Sequence, residues 1–539
     1  MHKIDPSRTD LAREYRDRPV GPHSAELQKL LKILRWDRFE ERIIAVQPQR
    51  GGPYVLARST GRKGSAIEVF EGAEFSDAQA AQWAIFRARW RQHTGVPLDL
   101  DGEPPLPESG TLRTGLTRRA VLGYADRFSV EAGSPIAFKI SAEAPYRLSF
   151  ERLICGDNAS IGHKAEPIST PLDGEYAGRR QLAVTGSYVQ VDPLPDPEKG
   201  GFAFCAYIWP TTPGLGRRQI VMGSPSCAMV IESGRGLALR VGEHIVATGV
   251  PLLERHWYLV CASYDAATGK ACVIQRPLLE YAQRGDTSAT ARSVVPSLAR
   301  PDWSAFRIAA GYGADGAASA HFNGKIDSPT VMARALNDAE VGAVAASGVP
   351  PSDVPLLARW DFSRDIPTTN IVDTSGNGRH AHTVNLPTRA MKGWNWDGTE
   401  YNWVHKPDHY GAIHFHDDDL HDCGWETDFR FDVPETLKSG LYCARLECEG
   451  ECEYIPFAVR PPRGTAKAPM ALILPTASYW AYSNTHHHLE WREGENVRGV
   501  FTTIDATTLY LHEHPELGCS LYDHHSDDSG VCIASRLRP

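Results

Sequence analysis

Residues 477–488 read ASYWAYSNTHHH and follow the apolar run APMALILP (Ala468–Pro475) almost at once. Two tyrosines, a tryptophan, an asparagine and three histidines therefore stand where a buried segment hands over to a loop. Phenol, amide and imidazole groups gathered there suit three uses: a metal ion, a polar carbonyl to be oriented, or only a polar rim. Further on, CSLYDHHSDDSG (Cys519–Gly530) offers Tyr522 beside Asp523, His524, His525, Asp527 and Asp528. In HFHDDDLHD (His414–Asp422), His414 and His416 are spaced i, i+2. That spacing puts both rings on one face of a strand, where they could share a metal. The three aspartates that follow read as an acidic, solvated loop. Cys443 and Cys448 would face opposite sides of a strand, which favours core thiols over a zinc site with Cys452.

These groups need elements to position them. A short, wholly apolar run bounded by loop chemistry predicts a buried parallel strand opening an α/β domain at 463–539. The residues from there to the last one are about half of what such a domain needs, so the α/β domain is expected to be incomplete within this chain. Upstream, SGLYCARLECEGECEYIPFAVRPP alternates with period two and predicts the closing hairpin of an Ig-like module at 396–462. The stretch FSVEAGSPIAFKISAEAPYRLSFERLICGD predicts a β segment at 120–174 that packs with that later module. Residues 175–395 supply many strand-like stretches, including GFAFCAYIWPT and HWYLVCASYD. At the N-terminus, Leu27, Leu30, Leu31 and Leu34 form a helical stripe with Ser24 as N-cap. A second helix is expected from Ser76, with Gln79 completing a capping box, to Gly95. With hairpin-like strands between them, these helices make a small α+β unit at 1–100, followed by a Pro/Gly/acidic linker at 101–119. The expected fold is multidomain and mainly β.

The 539 residues carry a net charge of -9, which argues against general affinity for nucleic acid. No apolar run reaches the ~18 residues of a membrane helix, and no signal core is present at the start. Eleven cysteines, widely scattered and with no CxxC pair, suggest reduced thiols in a cytoplasm.

Two resemblances add to this reading. QLAVTGSYVQVDP, HWYLVCASYDAATGKACVIQ, FNGKIDSPTVMARALNDAEV and ARWDFSRDIPTTNIVDTSGNGRHAHTVN resemble a laminin-G/concanavalin-like sandwich, with the last piece displaced from its usual first place. LPTASYWAYSN followed by SLYDHHSDDSGVCIASRLRP resembles the large (beta) subunit of N,N-dimethylformamidases, and the first hundred residues resemble that family's small subunit. This resemblance implies an amidotransferase-like α/β domain and an amide hydrolase that converts dimethylformamide to dimethylamine and formate. It also implies a mononuclear ferric iron held by two tyrosines and a glutamate. Tyr482 and Tyr522 match the two tyrosine motifs, and Asn484, His486 and His524 lie beside them. The family's glutamate and catalytic histidine belong to a Gly-His-x-Glu-Tyr-Trp stretch that these residues do not contain. A truncated sequence, a partner chain or homo-oligomer completing the domain, and a lost activity all remain open. The acid and base groups are unassigned. The rival reading is a non-catalytic β-sandwich binding or assembly protein.

Overall fold

The computed structural model describes residues 4–539 except 39–40, 60, 62, 101, 157–161, 198–199, 280–282, 297–300 and 486–493. Two compact units emerge. One comprises Met1–Ala183, Asp422–His524 and Ala534–Pro539; the other comprises Val184–His421 and His525–Ile533. Among the described residues no helix is long and apolar enough to cross a membrane.

In the first unit the leucine stripe becomes the helix Ala25–Leu34, and all four leucines are buried. Ser24 caps it by accepting a hydrogen bond from the Leu27 N–H at 3.2 Å. The second major helix runs Ala78–Thr94, and its cap is Asp77, not Ser76. The Asp77 carboxylate accepts from the Ala80 N–H at 2.8 Å, while the Ser76 hydroxyl turns to that same side chain. A carboxylate in the helix's positive field displaces the weaker hydroxyl acceptor. Gly95 ends the helix at φ 73°, a left-handed conformation that glycine adopts without strain. Phe86 and Trp90 are buried with Tyr15 and Phe501 in one core. Trp83 is half-buried and donates its indole N–H to Glu103.

The adjoining sheet has the order Thr503–Ile504, Ile43–Val46, Tyr54–Arg58, Ile67–Phe75, Thr111–Arg113. Its outer strand comes from the far end of the chain and pairs in parallel, Ala45 with Thr503 and Val46 with Ile504. A buried ion pair reinforces this closure. Arg89 donates to both Glu495 carboxylate oxygens, at 2.5 and 2.8 Å, and neither side chain has any exposed surface.

The same unit holds a second β structure. One sheet joins Phe429–Asp432, Pro135–Ala142 and Val121–Ala125; the other orders Gly174–Tyr176, Tyr146–Cys155, Gly440–Cys448, Glu451–Arg460 and Ser129–Glu131. Phe138, Phe150, Phe429, Phe431 and Phe457 fill the core shared by the two sheets.

The second unit is a continuous ladder of antiparallel strands from His244–Ala247 at one end to Ala289–Val294 at the other. It folds back so that Leu239 and Val273, from strands near opposite ends, share a core with Phe204, Phe306 and Trp360. The strand Leu356–Asp361 pairs with Gly324–Met332, which places the displaced sequence piece inside the ladder. The strand Ala412–Phe415 also pairs with Gly324–Met332, so His414 and its neighbours belong to this unit.

Two expectations need correction. Ala468–Pro475 is not a buried strand: Met470, Leu472 and Ile473 are among the most exposed apolar side chains, and no described strand pairs with the run. A parallel strand needs neighbouring strands to satisfy its N–H and C=O groups, and an apolar composition cannot supply them. The described part of residues 463–539 contributes short helices and one two-residue strand, and that strand extends the N-terminal sheet. The thiols are not all reduced either. Cys205 and Cys261 lie directly opposite on paired strands, with Cα atoms 4.3 Å apart, and form a disulfide.

Candidate metal centre

Tyr482 is the last residue of the helix Thr476–Tyr482, and Tyr522 lies in the turn after Ser520. Both belong to the first unit. Their rings stack with centroids 4.3 Å apart and planes at 15°. Each is about half exposed. Hydrogen bonding to the Tyr522 hydroxyl, and then the nearness of that charge, raises the Tyr482 phenol above its ordinary value. The two rings sit side by side where the helix end meets the turn.

Those loops are held from beneath by polar groups with little exposure. The Leu521 N–H and the Ser520 hydroxyl both donate to the Ala481 carbonyl at 3.0 Å, tying the turn to the helix end. Ser520 Oγ in turn accepts from the Tyr522 N–H at 2.9 Å, and the Asp523 carboxylate accepts from the Ser520 N–H at 3.0 Å. Asn484 takes φ 58°, a conformation asparagine tolerates better than most residues, and its side-chain amide donates to Leu517 O at 2.9 Å. Arg538 closes the cradle. Its guanidinium donates to Cys519 O at 2.8 Å and to Ser483 O and Oγ at 3.1 and 3.0 Å. Trp480 stacks on Phe128 with centroids 5.3 Å apart. Two half-exposed rings over a polar base differ from a structural tyrosine, whose ring is buried.

The donor set suits a hard, highly charged cation. Two phenols present hard oxygen atoms side by side, the preference of Fe(III). A cation held there would favour the phenolate form of both side chains.

The other sequence candidates divide. Asn484 buttresses the tyrosine loops. His524 is exposed two residues beyond Tyr522, and His486 lies outside the described residues. His414, His416, His525 and Asp527 gather in the second unit, so a group of side chains able to hold a metal exists there too. The expected solvated loop is not one, since Asp419 is buried and Asp418 binds His525 at 2.7 Å. The Ser520 and Arg538 supports were not singled out in the sequence, and Asp523 was noted only as a neighbour of Tyr522. Only the Ser-Leu-Tyr motif pointed near them, because their partners are backbone groups that carry no sequence signal.

Comparison with known proteins bears on this geometry. Residues 3–98 match the N,N-dimethylformamidase alpha subunit family, and residues 388–539 match the family of N,N-dimethylformamidase beta subunit-like C-terminal regions. The N,N-dimethylformamidase beta subunit of Alcaligenes sp is 35% identical over 461 residues, covering 78% of this chain. That of Paracoccus aminophilus is 35% identical over 457 residues, with the same coverage of this chain. The chain is similar to the N,N-dimethylformamidase subunits over these residues. It spans 59% of the length of each of these two relatives. An alpha-like and a beta-like region thus occur in one polypeptide, and the pair Arg89–Glu495 joins them. Among solved structures, a heptameric SAP-like pentraxin from Limulus polyphemus matches with TM-score 0.24 and 14% identity, covering 38% of this chain and 85% of its own. The LG1-3 region of the laminin alpha2 chain matches with TM-score 0.22 and 17% identity, covering 29% of this chain and 32% of its own.

Proposed function

We propose that this chain is a component of an iron-dependent amide hydrolase of the dimethylformamidase type, with Tyr482 and Tyr522 as two ligands of a mononuclear ferric ion. The observation that carries the reading is the convergence of these two phenols on a polar cradle, within the residues that match the beta-type family at 388–539. When bound, the ion supplies Lewis acidity toward an amide carbonyl and toward water. The chain's own contribution is orientation. Ser520, Asn484 and Arg538 set the spacing of the phenols by holding the two loops together.

Two phenolates balance only two of the three charges of Fe(III). A further carboxylate is therefore part of the reading, and without it these residues should hydrolyse dimethylformamide slowly. Other linear amides of similar size are equally suited to the chemistry. A cytoplasmic setting rests on nine free cysteines of eleven. The net charge of -9 supports a small-molecule substrate over nucleic acid. One observation favours the rival reading of a non-catalytic assembly protein: the half exposure of both rings also suits a protein interface.

The test is metal content with activity. Purified chain should hold about one iron per chain by mass spectrometry, and Tyr482→Phe with Tyr522→Phe should abolish it. Formate release should rise well above that slow rate when a further carboxylate is supplied. Iron retained by the double variant would remove the basis of the reading.

A further inference from the structure

The second unit contains an arrangement that the tyrosine pair does not use. The strand Ala412–Phe415 carries His414, and His416 follows it directly, so both imidazoles turn to the same side. Their rings lie 4.1 Å apart. Opposite them stands Asp527. Its Oδ2 is 3.5 Å from His414 Nε2 and 3.9 Å from His416 Nε2. All three residues are buried.

Those separations are long for hydrogen bonds, and neither His414 Nε2 nor Asp527 Oδ2 has a hydrogen-bond partner. They agree with the edges of a metal polyhedron instead. Ligands at ~2.0–2.1 Å from a tetrahedral ion stand roughly 3.3 Å from one another. Two buried polar atoms left without partners, facing one another and a third, is the pattern a missing cation leaves.

The surroundings orient these atoms. Asp419 Oδ2 pairs with His416 Nδ1 at 3.2 Å, which turns Nε2 toward Asp527 in the manner of carboxylate–histidine–metal relays. Asp419 is held in turn by the Ser187 hydroxyl at 2.6 Å. The Ser529 N–H and hydroxyl both donate to Asp527 Oδ1, leaving Oδ2 as the free oxygen. Ser529 Oγ also lies 2.9 Å from His416 Nε2, close to the position a cation would take. A neighbouring set, His416, Asp419 and His525, is close enough to hold an ion, but His525 Nδ1 is already paired with Asp418 and Asp419 Oδ2 with Ser187. That set is the support of the first.

We propose that His414, His416 and Asp527 form a second metal site, selective for a divalent first-row ion of the zinc type and independent of the tyrosine pair. Two imidazoles and one carboxylate leave a fourth position for water or for Ser529 Oγ. Imidazole nitrogens bind the ion through their lone pairs, so any proton on a ligating Nε2 leaves to solvent as the ion binds. The site's place beside a strand pairing in the sandwich gives it a structural role, tying the loop 525–530 to the strand Ala412–Phe415.

Cobalt(II) reports on such a site directly. The 539-residue chain, stripped with a chelator and titrated with Co(II), should gain visible d–d bands of tetrahedral intensity with one ion per chain. Zinc should displace the bands. Asp527→Asn and His414→Gln, which keep side-chain size, should each weaken Co(II) binding at least tenfold, with far-UV circular dichroism unchanged. Tyr482→Phe/Tyr522→Phe should leave the Co(II) titration as in the parent, so a failure of the iron reading is told apart from a failure of this one. No bands in the parent chain, or equal binding by Asp527→Asn, overturns the proposal and leaves the cluster as an ion pair only.

Discussion

The pair Arg89–Glu495 makes a quantitative prediction about how the alpha-like and beta-like regions are held together. Both side chains are fully buried, and Glu495 also accepts the Thr502 N–H at 2.8 Å. Replacing Glu495 by Ala leaves the Arg89 charge with the Ile43 and Leu34 carbonyls, and with Asp37 at 3.9 Å. Breaking a buried pair by removing one partner costs about 3–5 kcal/mol. The retained carbonyls place this case near the lower end, about 3 kcal/mol, or roughly a hundredfold in a local opening equilibrium. The assay is hydrogen exchange of peptides spanning Ala78–Thr94, read by mass spectrometry, since a multidomain chain has no single unfolding free energy. Protection there should fall about a hundredfold in Glu495→Ala. A change below threefold refutes the reasoning.

The pair also has a pH signature. Burial alone would raise the Glu495 carboxyl, but the Arg89 charge and its hydrogen bonds overcome this and hold it below the ordinary value of 4.5. A depressed carboxyl contributes stability above its unfolded value and loses it as pH falls through the folded one. The extra protection of the parent over Glu495→Ala should therefore shrink progressively as pH falls below 4.5.

Three further outcomes are expected. Burial pushes the Asp327 carboxyl up to about 7, so the parent loses stability as pH rises from 3.8 toward 7; the transition of the unit that holds Asp327 should melt higher in Asp327→Asn than in the parent at pH ~8 and equally at pH ~4, and a lower melting point at pH ~8 contradicts this. Arg538→Lys keeps the charge but cannot span Cys519 O and the Ser483 oxygens together; iron(III) affinity should fall about tenfold without loss of secondary structure, and unchanged affinity speaks against the cradle. Thiol titration of the denatured, unreduced chain should count nine groups, the Cys205–Cys261 pair being oxidised, and eleven would show that bond absent.

Local pattern made much of this architecture legible. The leucines at 27, 30, 31 and 34 and the Ser24 cap act within a few residues of one another, and the structure keeps them as read. Alternation in GLYCARLECEGECEYIPFAVR produces the hairpin Gly440–Cys448 and Glu451–Arg460. What escaped depends on partners far along the chain. Arg89 and Glu495 are 406 residues apart, and His525 turns the supposed solvated Asp418 inward across 107 residues. The run Ala468–Pro475 was misread for the converse reason: an apolar composition promises burial only if neighbouring strands exist. Tyr482 and Tyr522 were found through motif likeness, and their stacking could not have been read from spacing alone.

The central claim is that the two phenol oxygens share one ferric ion. Visible absorption of the iron(III)-loaded chain tests it most directly, because iron-bound phenolates absorb where free tyrosine does not. A band in the visible that weakens in Tyr482→Phe or in Tyr522→Phe and disappears when both are changed is the predicted result. A colourless iron-loaded protein, or a band indifferent to both substitutions, contradicts it.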